Sequence, residues 1–203
     1  AHFPDDAGVH SALADLYARW GEDARALKEY ETLVRIEPSD DTHLVNLGEQ
    51  YFQRGDKAKA IEIWKRIIVK KTPEAYARLA EVYAEHDMGA EAIDMYMKAI
   101  ALKPKEPQFY RGLAGVYERL AALAPNPVIE LNRAVAIALA GDVAGGLARI
   151  DALAPALSGY HYFHAARADL LRRLDAPEAA ADAYAQALEL AGKNLSRLDM
   201  VFS

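Results

Sequence analysis

The chain has 203 residues, 52% of them apolar, carries a formal net charge of −6 and contains no cysteine. That is enough to bury one core or two small ones, and it excludes disulfide staples and thiolate metal sites, in keeping with a reducing, cytoplasmic setting. No apolar run approaches the ~18 residues of a membrane span, no secretory leader opens the sequence, and the acidic balance argues against nucleic-acid binding, which needs clustered Lys and Arg.

Apolar residues recur at i, i+3, i+4 and i+7 along the chain while β-branched residues are scattered, so the sequence predicts helices throughout. It also repeats. Leu13, Leu47, Leu79 and Leu113 are separated by 34, 32 and 34 residues, and Tyr17, Tyr51, Tyr83 and Tyr117 keep the same spacings. Ala26, Ala60 and Ala92 follow suit, as do Tyr30, Trp64 and Tyr96, close to the ~34-residue period of a helix-turn-helix repeat. "PDD" at Pro4 to Asp6 has the form of a closing turn with no unit before it, as if the chain began inside a longer array. Asp6 is placed to cap the first helix.

Units are thereby predicted at 7–40, 41–72 and 73–106, with Pro107 opening a fourth. Ala14, Gly48, Ala80 and Ala114 mark where the two helices of a unit cross, since larger side chains would separate the axes. The aromatics at Tyr30, Trp64 and Tyr96 fill the gap to the next unit. Gly21 and Gly55 fall where a helix ends and the chain needs a positive φ. Pro38 and Pro104 close units, because proline cannot continue a helix. The second unit lacks a closing proline and is two residues short, which predicts unusual stacking there.

Residues 7 to 120 resemble tetratricopeptide repeats at several positions in each of four units. The resemblance implies an all-α, right-handed solenoid of helical hairpins, about eleven helices with a short C-terminal cap. It also implies a concave groove lined by the first helices. In the version of that groove that grips a terminal carboxylate, the ligand positions here hold Ser11, Asp15, Asn46, Glu74 and Arg78. Asn46 and Arg78 match, but Ser11 and Glu74 replace lysines and Asp15 replaces an asparagine, so a carboxylate would be repelled. Asp15, Glu49, Glu81 and Glu85 make the expected groove acidic, favouring basic peptides.

Beyond residue 107 the composition shifts. Every lysine but Lys193 lies at or before Lys105, and alanine becomes dense. Ala134 to Ala168, Gly146 to Ala180 and Leu153 to Ala187 are each 34 apart, predicting helices at 127–140, 143–154, 160–174 and 177–190. The strings "LAPNPVIELNRAVAIALAGDVAGGLARIDAL" and "YHYFHAARADLLRRLDAPEAAADAYAQALELAGKN" resemble the C-terminal helical-repeat region of a group of bacterial extracytoplasmic-function sigma factors, over about 116–194. In that group the region follows the promoter-binding domains, which this chain lacks. That resemblance makes 107–124 the second helix of a unit, with Tyr117 in its aromatic position and Pro125 closing it. The first array makes the same helix the first of a unit, with Leu113, Ala114 and Tyr117 in place and Leu120 following. One helix fitting both registers is what results when two helical proteins are superimposed on a shared helix. The chain therefore reads as a chimera in four segments: 1–106, the junction helix 107–124, the pair 125–194, and a tail at 195–203.

Chemistry is sparse. His161 and His164 share a helix face at i and i+3, with Asp169 a distant third metal ligand; they read better as packing residues, so no metal or cofactor site is expected. The serines lie in no nucleophile elbow, and "AGDVAGG" lacks a P-loop lysine and reads as a turn. Leu195, Leu198, Met200, Val201 and Phe202 could cap the last hairpin or join two copies, leaving monomer and homodimer both open. The expected function is a non-enzymatic scaffold without a dedicated ligand. The alternatives are an adaptor for basic peptides, or a regulatory fragment touching transcription machinery through 125–194.

Overall fold

The computed structural model describes residues 6 to 201, with side chains described through Lys193. Pro4, Asp5 and the side chains of Leu195, Leu198, Met200, Val201 and Phe202 lie outside the described residues. The chain is all-α: among the described residues there are twelve α-helices, one 3-10 helix and no strand. The helices are α1 (Ala7–Arg19), α2 (Asp23–Ile36), α3 (Asp41–Gln53), α4 (Lys57–Trp64) running into the 3-10 segment Lys65–Lys70, α5 (Pro73–Glu85), α6 (Gly89–Leu102), α7 (Pro107–Leu123), α8 (Pro127–Leu139), α9 (Val143–Ala152), α10 (Ala154–Leu157), α11 (His161–Arg173) and α12 (Pro177–Val201). Two compact units result, residues 1–86 and 87–203.

In the first unit α1 packs on α2, α2 on α3, and α3 on α4; the 3-10 segment then packs on α5. Four of its five α-helices start on a side-chain cap, α2 being the exception. Asp6 accepts from the Val9 amide at 3.2 Å, Asp40 from His43 at 3.0 Å, Asp56 from Lys59 at 3.1 Å and Thr72 from Ala75 at 3.2 Å, each worth about 1 kcal/mol. Gly21 and Gly55 take positive φ of 70° and 85°, as their helix-end positions require. Asp87 and Asp175 take the same left-handed conformation at equivalent turns, a region that short polar side chains tolerate.

The missing two residues of the second repeat come out of a loop. Four residues separate α2 from α3 and α6 from α7, whereas only Lys71 and Thr72 separate the 3-10 segment from α5. Six residues of 3-10 helix at a ~2.0 Å rise cover about 12 Å, the span of about eight α-helical residues. Lys71, at a φ of 50°, makes the turn that a proline makes elsewhere. The unusual feature is thus a stretched helix end and a tightened link.

In the second unit α6 packs on α7, α7 on α8, α8 on α9, α9 on α11 and α11 on α12. The expected junction is a single unbroken helix that contacts both α6 and α8. Leu113 and Ala114 are buried, while Tyr117 and Leu120 are half-buried. Pro125, expected to pack at the junction, is exposed instead, because it stands in the link after α7, where it ends the helix. The division between compact units falls at 86/87 rather than at this helix, since both of its neighbours lie on the same side of that boundary.

Two further expectations need correction. The short helix α10 was not anticipated: Pro155, at its first turn, starts a new helix after α9 ends at Ala152. The final helix does not stop at residue 190 for a separate cap but runs on to Val201, since no proline interrupts the sequence after Pro177 and Gly192 alone does not break it. With α10 included, the described residues hold twelve α-helices, in line with the expected number of about eleven.

Close approach between helices depends on absent side chains. A Cβ on Gly48 would lie 2.1 Å from Trp64 Nε1, and that fully buried indole donates to the Val45 carbonyl at 3.2 Å. Gly48→Ala should cost about 1–3 kcal/mol in urea denaturation. Gly115→Ala, where nothing lies within 4 Å of the added Cβ, should be neutral or stabilising by up to about 1 kcal/mol. Leu113→Ala should cost about 2–5 kcal/mol, given that Leu113 is buried between its neighbours.

Candidate functional site

The anticipated groove residues divide among α1, α3 and α5 of the first unit. Along α5, Glu74, Arg78, Glu81 and Glu85 are spaced i, i+4, i+7 and i+11, so they form one stripe. Arg78 pairs with Glu81 at 3.1 Å, while Glu85 is exposed. On α3, Asn46 and Glu49 are half-buried and share a face. Glu49 accepts from Gln53 at 2.8 Å and pairs with His86, just past α5, at 2.9 Å. Asp15 on α1 is exposed and meets the Tyr30 hydroxyl at 3.5 Å. Burial, then the nearby Asp15 charge, pushes the Tyr30 phenol up.

Three of the four carboxylates expected to line the groove therefore already have partners within the chain. The Glu49 partner also belongs to an aromatic cluster: the His86 ring stacks on Trp64 at 4.6 Å and lies 4.3 Å from Phe52. His86 is thus the link between the acidic face of α3 and the core aromatic of α4. Its repeat position could have suggested this, because the equivalent residue of α7 is the apolar Leu120.

His161 and His164 sit among aromatic rings and backbone, and the Nδ1 atoms of both are buried with no hydrogen-bond partner among the described residues. His164 is buried, its Nε2 2.7 Å from the Ser158 carbonyl and its ring edge-on to Phe163 at 4.9 Å. His161 lies 4.0 Å from the Tyr162 ring. Asp169 is held elsewhere, by Arg172 at 2.6 Å and Arg173 at 2.7 Å. A different trio, Glu37, Asp40 and His43, brings its donor atoms within 4.8 Å of one another and has the chemistry to hold a metal ion. Here those groups serve one another: His43 pairs with Glu37 at 2.9 Å, and Asp40 caps α3. The sequence reading missed this trio because Glu37 and Asp40 lie in a link between helices.

In the second unit a cavity of about 350 Å³ opens between α7 and α8. Ala114, Gly115, Ile137 and Ala140 supply an apolar lining, with Arg111, Glu118, Arg133 and Asp142 around it. Arg133 is fixed by Glu118 across the two helices and by Glu130 at 3.5 Å. Asp142 caps α9 through the Gly145 amide at 2.9 Å.

Residues 73–106 match the tetratricopeptide repeat model, within a chain built of helices packed in succession. An uncharacterized protein of Rhizobium meliloti is 30% identical over 131 residues, 64% of this chain and 30% of that protein. Human protein O-mannosyl-transferase TMTC1 is 28% identical over 50% of this chain and 12% of its own length. Superkiller protein 3 of Schizosaccharomyces pombe is 27% identical over 56% of this chain and 8% of its own. This chain thus spans less than a third of the curated relatives it matches. Among solved structures, MamA shares 20% identity at a TM-score of 0.38, covering 94% of each chain. YrrB, described as a TPR protein with an unusual peptide-binding site, shares 14% at a TM-score of 0.36, covering 98% of this chain and 93% of that one. No described helix is long and apolar enough to cross a membrane.

Burial works to raise the Asp169 carboxyl, but hydrogen bonds from Arg172 and Arg173 outweigh it and hold it below its ordinary value. A lowered folded value stabilises the fold above the ordinary Asp range near ~3.9 and loses that stabilisation as pH falls through the lower value. Asp169→Asn should therefore reduce stability at neutral pH and flatten the acid limb of a melting-temperature profile below about pH 4.

Proposed function

We propose that this chain is a non-enzymatic protein-interaction scaffold, and that the polar faces of α3 and α5 take up basic, extended protein segments. The observation that carries this is the stripe on α5, where three carboxylates accompany a single arginine that Glu81 already engages. Asn46 and Glu49 supply further polar positions on α3. Repeat proteins of the tetratricopeptide type are generally non-catalytic scaffolds, which supports the first part of the reading. With a net charge of −6, nucleic acid is a poor partner, since its binding depends on neutralised phosphates.

A second reading is a spliced scaffold with no dedicated ligand. It is supported by α7, whose one uninterrupted helix touches both α6 and α8 and suits two repeat registers. A peptide titration separates the two. A fluorescently labelled lysine-rich peptide should bind, lose affinity as salt rises, and bind about tenfold more weakly to Glu81→Lys/Glu85→Lys, a loss of about 1.4 kcal/mol. An acidic peptide of equal length should not bind. Equal behaviour of the two peptides, or no binding by either, would contradict the basic-segment reading and favour the scaffold without a ligand.

A further inference from the structure

Nothing inside the chain accounts for Gly115. The other glycines of α6 to α9 each face a neighbour that leaves no room for a Cβ. One on Gly112 would lie 2.3 Å from the Tyr96 ring, and one on Gly89 would lie 2.8 Å from Leu120. On Gly145 it would lie 2.1 Å from the Asp142 carboxylate, and on Gly146 2.6 Å from Ala138. A Cβ on Gly115 would meet nothing within 4 Å. Apart from proline, glycine is the least favourable residue in a helix interior, and Gly115 stands midway along the 17-residue α7. Bare backbone at such a place suits the close approach of a ligand. The space it faces is the cavity of about 350 Å³ between α7 and α8, within the size range of small-molecule sites.

That cavity has two unlike ends. Only residues 124–126 link α7 to α8, so the helices run antiparallel, and the ion pair of Glu118 with Arg133 fixes their register. Arg111 comes seven residues before Glu118, and Ala140 seven after Arg133, which puts both at the opposite end, about 10 Å of helix away. The ion pair bridges the two helices and bounds the cavity on its own side, with Glu130 holding Arg133 at 3.5 Å. Arg111, by contrast, is exposed and has no hydrogen-bond or ion-pair partner among the described residues. Asp142, two residues past Ala140, is occupied: its Oδ1 accepts the Gly145 amide at 2.9 Å, which sets its charge against the positive end of α9. Between the two ends the wall is apolar, formed by Ala114, Gly115 and Ile137.

We infer that this cavity binds a small apolar carboxylate, with its hydrocarbon part against Gly115 and Ile137 and its carboxylate on Arg111. The guanidinium suits that role because its planar fork takes a carboxylate through two parallel N–H···O bonds. An extended peptide lying along the helices would have to break the Glu118–Arg133 bridge, whereas a compact molecule fits between that bridge and Arg111. The site is separate from α3 and α5 and stands whether or not they take up basic segments.

Phenylacetate, an aromatic ring carrying a short carboxylate arm, serves as the probe. In calorimetric titration of the full chain it should bind saturably with a Kd below about 1 mM. Neutral phenylacetamide should bind at least about tenfold more weakly, since it lacks the charge-assisted bonds. Arg111→Met should bring phenylacetate down to the level of the amide and leave the amide unchanged. Gly115→Leu fills the space; it should keep the helical circular-dichroism signal, melt no lower than the parent and bind neither compound. Should the leucine variant not fold, Gly115→Ala should still weaken phenylacetate at least about threefold while melting no lower than the parent, so that stability and binding move apart. A wild-type chain that does not bind phenylacetate, an amide that binds as well as the acid, or a folded Gly115→Leu variant that binds like the parent would overturn the inference. So would tighter binding of a terminally blocked peptide with an internal phenylalanine–aspartate pair, which would make the cavity a peptide site.

Discussion

Tyr96 lies where α7 has no side chain. The ring comes so close to Gly112 that a methyl group there would overlap it, and this contact sets how near α6 and α7 can come. Leu120 makes the reciprocal approach to Gly89 at the other end of the same pair. Because interiors are close-packed, such contacts leave little freedom in the spacing of two helices. With α7 held on that side, its other flank is free to carry Glu118 to Arg133 of α8 and to build the wall of a cavity. The second unit depends on one helix satisfying both neighbours at once.

The first unit solves the same problem with Trp64 over Gly48. There the aromatic is larger and also has a polar edge, which the Val45 carbonyl satisfies; a buried indole N–H without a partner would cost more than the packing gains from its extra area. His86 then stacks on the indole and carries a link out to Glu49. A core contact is thereby joined to a polar face, and the position of Glu49 becomes a consequence of how Trp64 is seated.

Much of this arrangement was readable from the sequence. Most of the leucine, alanine and aromatic positions are buried because their spacing puts them on inward faces, with Leu13, Tyr17 and Tyr117 half-buried, and Asp6, Gly21 and Gly55 behave as their local chemistry demands. What escaped was set by contacts between residues distant in sequence. Only the repeat register, which aligns His86 with the apolar Leu120, hints that His86 packs on Trp64, and Gly112 looks like an ordinary helix glycine until Tyr96 is placed over it. The length of α12 was missed because its sequence has no strong stop, only a glycine whose cost a long alanine-rich helix outweighs. Among the candidate groove residues, spacing placed the α5 stripe, but it could not reveal that Arg78 is occupied by Glu81 or that Glu49 is shared with His86.

The account rests on α7 being one cooperative helix braced on two sides. Native-state hydrogen exchange resolved along Pro107–Leu123 addresses that directly. Amides from Leu113 to Ala121 should open together, with a free energy common to those of α6 and α8, because releasing either flank leaves the helix without support. If the two halves of α7 instead opened with separate free energies, one following α6 and the other α8, the helix would not be the shared brace described here.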